Sequence, residues 1–383
     1  MVKKITHSQL SELIKVYYKQ KGIDGKKVPL IIYGTFGVGK SAVTKQTAQE
    51  IAKERGREYI EWNTATREQK DLLFKNLKNY FILLDVRLSE FDASDIKGLP
   101  DFKEDKQSIE WKIPFWATIL EQEDSDGILF FDEINLATPL VISSVYKIIY
   151  DRVIDESKIN ENWLIMGCGN NECDRAYTHE LASPVRDRGG EVELTSPSGD
   201  EWINWAINND MDSRIIGFVS WKPSNLHIVN FDDGQKFTTE RGWARLNTLI
   251  KGEDNFEKID LISGSAIGEG IAREFLAFCK IQDTIKLEEI IRNPKSLEKI
   301  KEISIRYFIV TALAEKYKEK KIDFQNIMGI SEVLDAMGCA EFVTLLWRLA
   351  YKYDSKRFVK DYTAKEKNET ERKIKDKYNK YLI

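Results

Sequence analysis

The stretch that most limits what this chain can fold into is Val28 to Ser41, VPLIIYGTFGVGKS. It opens on a mostly apolar run, Val28 to Tyr33, short enough for one buried strand. The run leads straight into Gly34-Thr35-Phe36-Gly37-Val38-Gly39-Lys40-Ser41, which fits G-x-x-x-x-G-K-[ST]. A phosphate tail is best held by backbone N–H groups that converge at a helix N-terminus, where the helix dipole also favours negative charge. Glycines let the main chain curl that tightly with its amides free. In this pattern the amides from Gly34 through Ala42 surround the phosphates and Lys40 reaches the outer ones. The Ser41 hydroxyl can ligate Mg²⁺. At ordinary composition the pattern arises by chance in about one chain of this length in a hundred. A strand before it and a helical stretch after it, Ser41 to Arg55, point to a nucleotide site rather than a plain glycine turn.

At 383 residues the chain is longer than one typical domain. A charged fraction of 31% and an apolar fraction of 42% suit an ordinary globular protein. The net charge of −4 gives no reason to expect a general nucleic-acid or membrane binder. No apolar run is long enough to span a bilayer. MVKKITHSQLSEL has no apolar segment behind its two lysines, so no secretory signal is expected. Cys168, Cys173, Cys279 and Cys339 are scattered among only three histidines, which argues for reduced, buried thiols and a cytoplasmic setting.

Taken in order, residues 5–20 carry a helical stripe of Ile5, Leu10, Leu13, Ile14, Tyr17 and Tyr18. Beyond the glycine loop, strands are predicted at Arg57 to Trp62, Tyr80 to Val86, Ile128 to Phe131 and Trp163 to Gly167. Helices are predicted over 67–78 and 138–150. Residues 87–114 exceed a plain strand-to-helix connection and read as a hairpin insertion anchored by Trp111, Phe115 and Trp116. Residues 151–162 read as a second small hairpin. Asp132 and Glu133 end the Ile128 strand at its carboxyl end, the end that faces ligand in an open parallel sheet. An Asp there can hold Mg²⁺ and the adjacent Glu can orient an attacking water. Asn170, at the tip of the next strand, can touch the γ-phosphate or that water.

In this order, GTFGVGKS, LLDVRLSEFDASDIKGLP, ILFFDEINLA, MGCGNN and DRAYTHELASPVRDRGGEVEL resemble the AAA+ ATPases and, within them, the MoxR branch. FTTERGWARL and GSAIGEGIAREFLAF resemble that family's sensor 2 helix start and lid helix. The resemblance implies an α/β fold with an AAA+ P-loop NTPase core, a parallel five-stranded sheet between helices, in residues 1–195. It further implies a helical lid at 196–284 and a C-terminal helical region at 285–351; the charged tail at 352–383 alternates Lys/Arg with Asp/Glu and reads as a solvated, marginal helix or a frayed end. Lys40 and Ser41 match the Walker A pair, Asp132 and Glu133 the Walker B pair, and Asn170 the sensor 1 asparagine. Arg241 matches the sensor 2 arginine. Arg188 matches the arginine finger that completes a neighbour's site; Arg186 is the alternative, because Gly189 and Gly190 follow where relatives carry an aromatic residue. The two hairpins resemble the helix-2 insert and the pre-sensor-1 hairpin of the branch.

The activity so implied is hydrolysis of ATP to ADP and phosphate, with Mg²⁺, in a homo-oligomeric and by resemblance hexameric ring. The ring would remodel or activate a protein client, for which the branch suggests a von Willebrand factor A domain protein. Two other functions stand beside it. A nucleic-acid translocase of restriction type is opposed by the near-neutral charge. A nucleotide-dependent scaffold would need neither Glu133 nor Asn170 to position water.

Overall fold

A computed structural model describes residues 2–22, 25–103, 108–171, 189–230, 237–364 and 368–379. The chain divides into two compact units, Met1–Ser196 and Pro197–Ile383.

Among the described residues the first unit contains eleven strands: β1 (Lys3–Ile5), β2 (Leu30–Tyr33), β3 (Glu58–Glu61), β4 (Tyr80–Arg87), β5 (Leu99–Phe102), β6 (Ile109–Lys112), β7 (Gly127–Asp132), β8 (Val153–Ile154), β9 (Ser157–Lys158), β10 (Leu164–Gly169) and β11 (Gly190–Leu194). Seven of them form one parallel sheet in the order β1-β11-β2-β10-β7-β4-β3. The sheet is therefore seven-stranded, where five strands were expected. The two additional strands are β1 and β11, whose register pairs Lys3 with Val192 and Ile5 with Leu194. Neither segment has the continuous apolar run of a buried parallel strand, so only the pairing partner reveals them.

Alternation along the strands builds two cores, one on each face of the sheet. Ile82, Leu84, Leu129, Phe131 and Ile165 face the helix Pro139–Asp151, through its Val141, Val145, Ile148 and Ile149. Phe81, Leu83, Ile128, Phe130, Leu164 and Met166 face the helices His7–Lys19 and Lys40–Glu54. Each large apolar side chain so buried contributes about 1.5–3 kcal/mol. The helix Lys40–Glu54 buries Thr44, Thr47 and Ala48, residues small enough to bring its axis close to the sheet. The Thr44 and Thr47 hydroxyls bond the Lys40 and Val43 carbonyls at 3.0 and 2.8 Å, which satisfies them without a partner in the sheet.

The hairpin β5–β6 is antiparallel and pairs Phe102 with Ile109 and Pro100 with Trp111. Phe102 and Ile109 are 69% and 56% exposed, so this face is apolar and uncovered. Trp116 anchors the insertion: its indole N–H donates to the Asp95 carbonyl at 3.0 Å and its ring meets Phe91 edge-on. Phe115 leans on Trp62, whereas Trp111, expected as a third anchor, is exposed. A cavity of about 500 Å³ opens beneath the hairpin, between Phe91, Asp95, Ile113 and Trp116. The second expected hairpin is β8–β9.

The second unit is helical, and one apolar core runs through it from Trp202 to Tyr378. Phe218, Trp243, Phe275 and Phe278 form its aromatic centre. The segment expected as a solvated, marginal helix or frayed end forms the helices Ser355–Tyr362 and Glu369–Tyr378, and it buries Phe358, Ile374 and Tyr378 rather than lying solvated. Phe358 and Tyr378 pack on Trp347, and the Tyr378 hydroxyl donates to Asp335 at 2.5 Å. Ile374 and Tyr378 are spaced i, i+4, and the charges around them conceal that short stripe in the sequence. No helix among the described residues is long and apolar enough to cross a membrane.

At the amino ends of the sheet strands, buried Asp126 accepts from Tyr18 at 2.6 Å and pairs with Arg57 at 2.9 Å. Lys27 lies 3.7 Å from the centre of the Tyr18 ring and donates to the Asn162 carbonyl at 2.6 Å. Burial lowers its pKa from 10.5 to about 7, against the opposing pull of Asp126. The folded value lies below the unfolded one, so in the window from about pH 7 to 10.5 the unfolded chain binds the extra proton. Stability from this group therefore rises with pH across that window, by at most about 1.4 kcal/mol per pH unit, and is lowest below it. Lys27→Met should flatten the rise between pH 7 and 9 relative to wild type, read from urea unfolding at each pH. Equal slopes in the two proteins would refute the burial argument.

Candidate functional site

Every strand of the large sheet runs the same way, so the carboxyl ends of β2, β7 and β10 share one edge. β10 lies between β2 and β7 in the sheet. The glycine loop leaves β2 and turns into the helix Lys40–Glu54 through Gly39, whose φ of 99° is in the left-handed region. Glycine takes that conformation without steric cost. The turn swings Ser41 across the sheet, and its hydroxyl donates to Asp132 Oδ2 at 3.0 Å.

Lys40 is almost fully buried. Its ammonium donates to the Gly34 carbonyl at 2.5 Å, the Thr35 carbonyl at 3.2 Å and Asn170 Oδ1 at 3.2 Å. The lysine thus joins the glycine loop to the tip of β10. Asp132 is fixed at both oxygens. Oδ1 accepts from the Glu133 N–H at 2.9 Å and from the Cys168 thiol at 2.7 Å, which leaves Oδ2 to Ser41. Burial, and behind it the Asp132 charge, holds the Cys168 thiol well above its usual range, so it stays a neutral donor.

Glu133 is held in the left-handed region at φ 57°, a conformation costing on the order of 1–3 kcal/mol for such a residue. Its carboxylate accepts a hydrogen bond from the Ser89 hydroxyl, in the short turn after β4. The chain then leans over β10: the Ile134 N–H donates to the Cys168 carbonyl at 2.9 Å, and Asn135 grips the backbone of Asn170. The Asn135 side chain accepts from the Asn170 N–H at 3.0 Å and donates to its carbonyl at 2.8 Å. A Cβ on Gly169 would lie 2.8 Å from Asn135 Oδ1, so the grip also requires glycine there. Asn135 is a positioning residue that the motif analysis passed over, although it is the one neutral polar side chain in the quoted ILFFDEINLA. Ser89 and Cys168 were passed over as well, because each acts across strands.

Asp85 adds a further acid nearby. Burial, and then the Asp132 charge, raises its pKa to about 6, with Arg87 opposing. Its Oδ1 is buried without a hydrogen-bond partner among the described residues. The donors at this edge, the Ser41 hydroxyl and the Asp132 carboxylate, are hard oxygens, and the surplus of carboxylate charge is one that a divalent cation relieves. Both features fit Mg²⁺, which takes one or two protein oxygens and completes its shell with water and phosphate. No cage of three or more His, Cys, Asp or Glu exists among the described residues.

The structure therefore brings Lys40, Ser41, Asp132, Glu133 and Asn170 into one bonded set. Arg241 lies exposed in the first turn of the helix Glu240–Ile250, in the second unit. Arg186 and Arg188 lie outside the described residues.

No family model and no curated protein matches the chain. Among solved structures, it resembles the ORC2 protein of Aeropyrum pernix with 13% identity and a TM-score of 0.36, covering 98% of this chain and 85% of that one. It also resembles PCH-2 of C. elegans, at 12% identity, TM-score 0.29 and 81% and 67% coverage. A third is a putative ATPase from Cytophaga hutchinsonii, at 10% identity, TM-score 0.31 and 70% and 88% coverage. Likenesses this weak add nothing to the reading of the site. The sheet is parallel, one strand lies between the glycine-loop strand and the acidic strand, and a helical unit follows in the chain.

Asn135→Leu keeps the side-chain size and removes both bonds to Asn170. Turnover should fall on the order of ten- to a hundredfold through misplacement of Asn170. Nucleotide affinity should change by less than about threefold, since a neutral hydrogen bond contributes only about 0.5–1.5 kcal/mol. Phosphate release and calorimetric binding measure the two. Unchanged turnover would remove Asn135 from the site.

Proposed function

We propose that this protein is a Mg²⁺-dependent ATPase of AAA+ type, of the MoxR branch, working as a hexameric ring that remodels or activates a protein client. The observation that carries the ATPase reading is the bonded set at the strand ends, in which Ser41 meets Asp132 and Lys40 meets Asn170. Four residues from three separate segments converge at the mouth of one phosphate-binding loop. A glycine turn with only a structural role would need none of them.

In this reading the loop amides and Lys40 bind the β- and γ-phosphates, and Ser41 and Asp132 hold the metal. Mg²⁺, when bound, neutralises charge on the phosphate oxygens. Glu133 orients the water once its carboxylate leaves Ser89, and Asn170 fixes the γ-phosphate against it. Catalysis is then positioning and charge stabilisation, with no covalent intermediate. Arg241 serves as the sensor 2 arginine. The client surface is the apolar face of β5–β6, and the resemblance supplies a von Willebrand factor A domain protein as its class.

Lys40→Ala should abolish ATP binding, while Glu133→Gln should bind ATP and retain it unhydrolysed. Removing residues 100–109 should spare basal turnover and abolish stimulation by the client. Wild-type turnover in Glu133→Gln would overturn the role of Glu133, and undiminished stimulation in the deletion would overturn that of the hairpin.

The ring carries its own prediction. An arginine finger contributes on the order of 10³-fold or more in rate, and by the resemblance Arg188 acts on a neighbour's nucleotide. Arg188→Ala and Glu133→Gln should each be inactive alone and regain activity when mixed, since some interfaces then pair two wild-type residues. Arg186→Ala serves as the control, and loss of activity there but not in Arg188→Ala would move the finger upstream. No rescue despite confirmed co-assembly would place the whole site within one subunit.

A further inference from the structure

The helix His7–Lys19 is tied to the glycine loop at one point that the motif does not include. His7 Nε2 lies 2.7 Å from the Val38 carbonyl oxygen, across 31 residues of sequence. A carbonyl only accepts, so Nε2 carries the hydrogen and donates. The imidazole also packs on Gly39, where an added Cβ would lie 3.3 Å from Nε2. Nδ1 is buried with no hydrogen-bond partner among the described residues, so the ring makes a single directed bond, the one to the loop.

That bond sets a peptide plane. In a trans peptide the carbonyl and the following N–H point in opposite directions. Holding the Val38 oxygen toward His7 turns the Gly39 N–H away from it, and among the described residues no acceptor takes up that N–H. Gly39 is the residue whose amide must face a phosphate if the loop is to act as a cradle. A glycine at φ 99° has no side chain to resist a flip of the peptide, so an external hold has something to do.

The histidine is itself held firmly. Thr6 caps the helix through a reciprocal capping box with Gln9. The Ser11 and Thr47 hydroxyls are hydrogen-bonded at 2.9 Å, and Lys15 pairs with Glu50 and Glu54, each at 2.9 Å, with Thr47, Glu50 and Glu54 all on the helix that follows the loop. Leu10, Ile14 and Tyr18 are buried beneath. On the other side, β1 adds to the sheet beside β11, and the Thr195 N–H donates to the Ile5 carbonyl at 3.1 Å.

We propose that His7 is a positioning residue for phosphate binding, which presets the Val38–Gly39 peptide so that the Gly39 N–H faces the phosphates. The inference rests on the nucleotide-binding reading above and concerns the phosphates alone, so its effect is confined to ligands that carry them. Binding of tripolyphosphate, ADP and adenosine to the full chain, with Mg²⁺, tests it by calorimetry in wild type, His7→Ala and His7→Gln. His7→Ala should weaken tripolyphosphate and ADP on the order of fivefold, the value of one neutral hydrogen bond. Adenosine binding should not change. His7→Gln, whose amide nitrogen can reach the same carbonyl, should recover most of the loss. A wild type that binds neither tripolyphosphate nor ADP overturns the nucleotide reading and this inference together. A wild type that binds them, with His7→Ala its equal, overturns this inference alone. Equal losses in His7→Ala and His7→Gln, or a loss that extends to adenosine, reduce His7 to packing and overturn it as well.

Discussion

The Ser41 hydroxyl reaches Asp132 across an intervening strand, and the site's geometry depends on that reach. β10 separates the strand that feeds the glycine loop from the strand that ends in Asp132. The 3.0 Å bond accompanies a helix that turns small residues, Thr44, Thr47 and Ala48, to its buried side. A bulkier face would lift the helix and carry Ser41 off with it. From this contact the rest follows in sequence: Asp132 is oriented by its other oxygen, Glu133 is turned aside from it, and β10 is trapped beneath both.

The strand so trapped carries Asn170, and its presentation is over-determined. Asn135 bonds both backbone groups of Asn170, Ile134 bonds the Cys168 carbonyl, and the Cys168 thiol bonds Asp132. Buried polar groups of this kind are costly unless satisfied, so a set that satisfies its members has few alternative arrangements. That rigidity is also what sustains Glu133 at φ 57°, a strain that a looser turn would relax.

Charge at the same edge is deliberately unbalanced. Glu61, Asp85, Asp132 and Glu133 gather at the ends of β3, β4 and β7, and of these Glu61 is paired with Lys45. Asp85 lies among them with its pKa raised by burial first and by the Asp132 charge second, and with Oδ1 unpartnered among the described residues. Lys40 donates to the loop carbonyls and to Asn170. An edge of this kind is suited to a cation and to the phosphates that accompany it.

Much of this was legible in the chain. The glycine loop, the strand before it and the acidic pair after Phe131 are local patterns, each set by residues within a few positions of one another. β2, β4, β7 and β10 show their apolar runs for the same reason. What tertiary structure alone decided is non-local. β1 is a strand only because it finds β11 across nearly 190 residues of sequence, and β11 because it lies between β1 and β2. Asn135, Ser89 and His7 matter through bonds to other segments, and nothing in their own neighbourhoods marks them. The charged C-terminal segment looked solvated because its few apolar residues are outnumbered, yet Phe358, Ile374 and Tyr378 share one buried face. Periodicity reports which side of an element is apolar. Which groups meet across the sheet edge is set by register and helix height, and those are properties of the packed molecule.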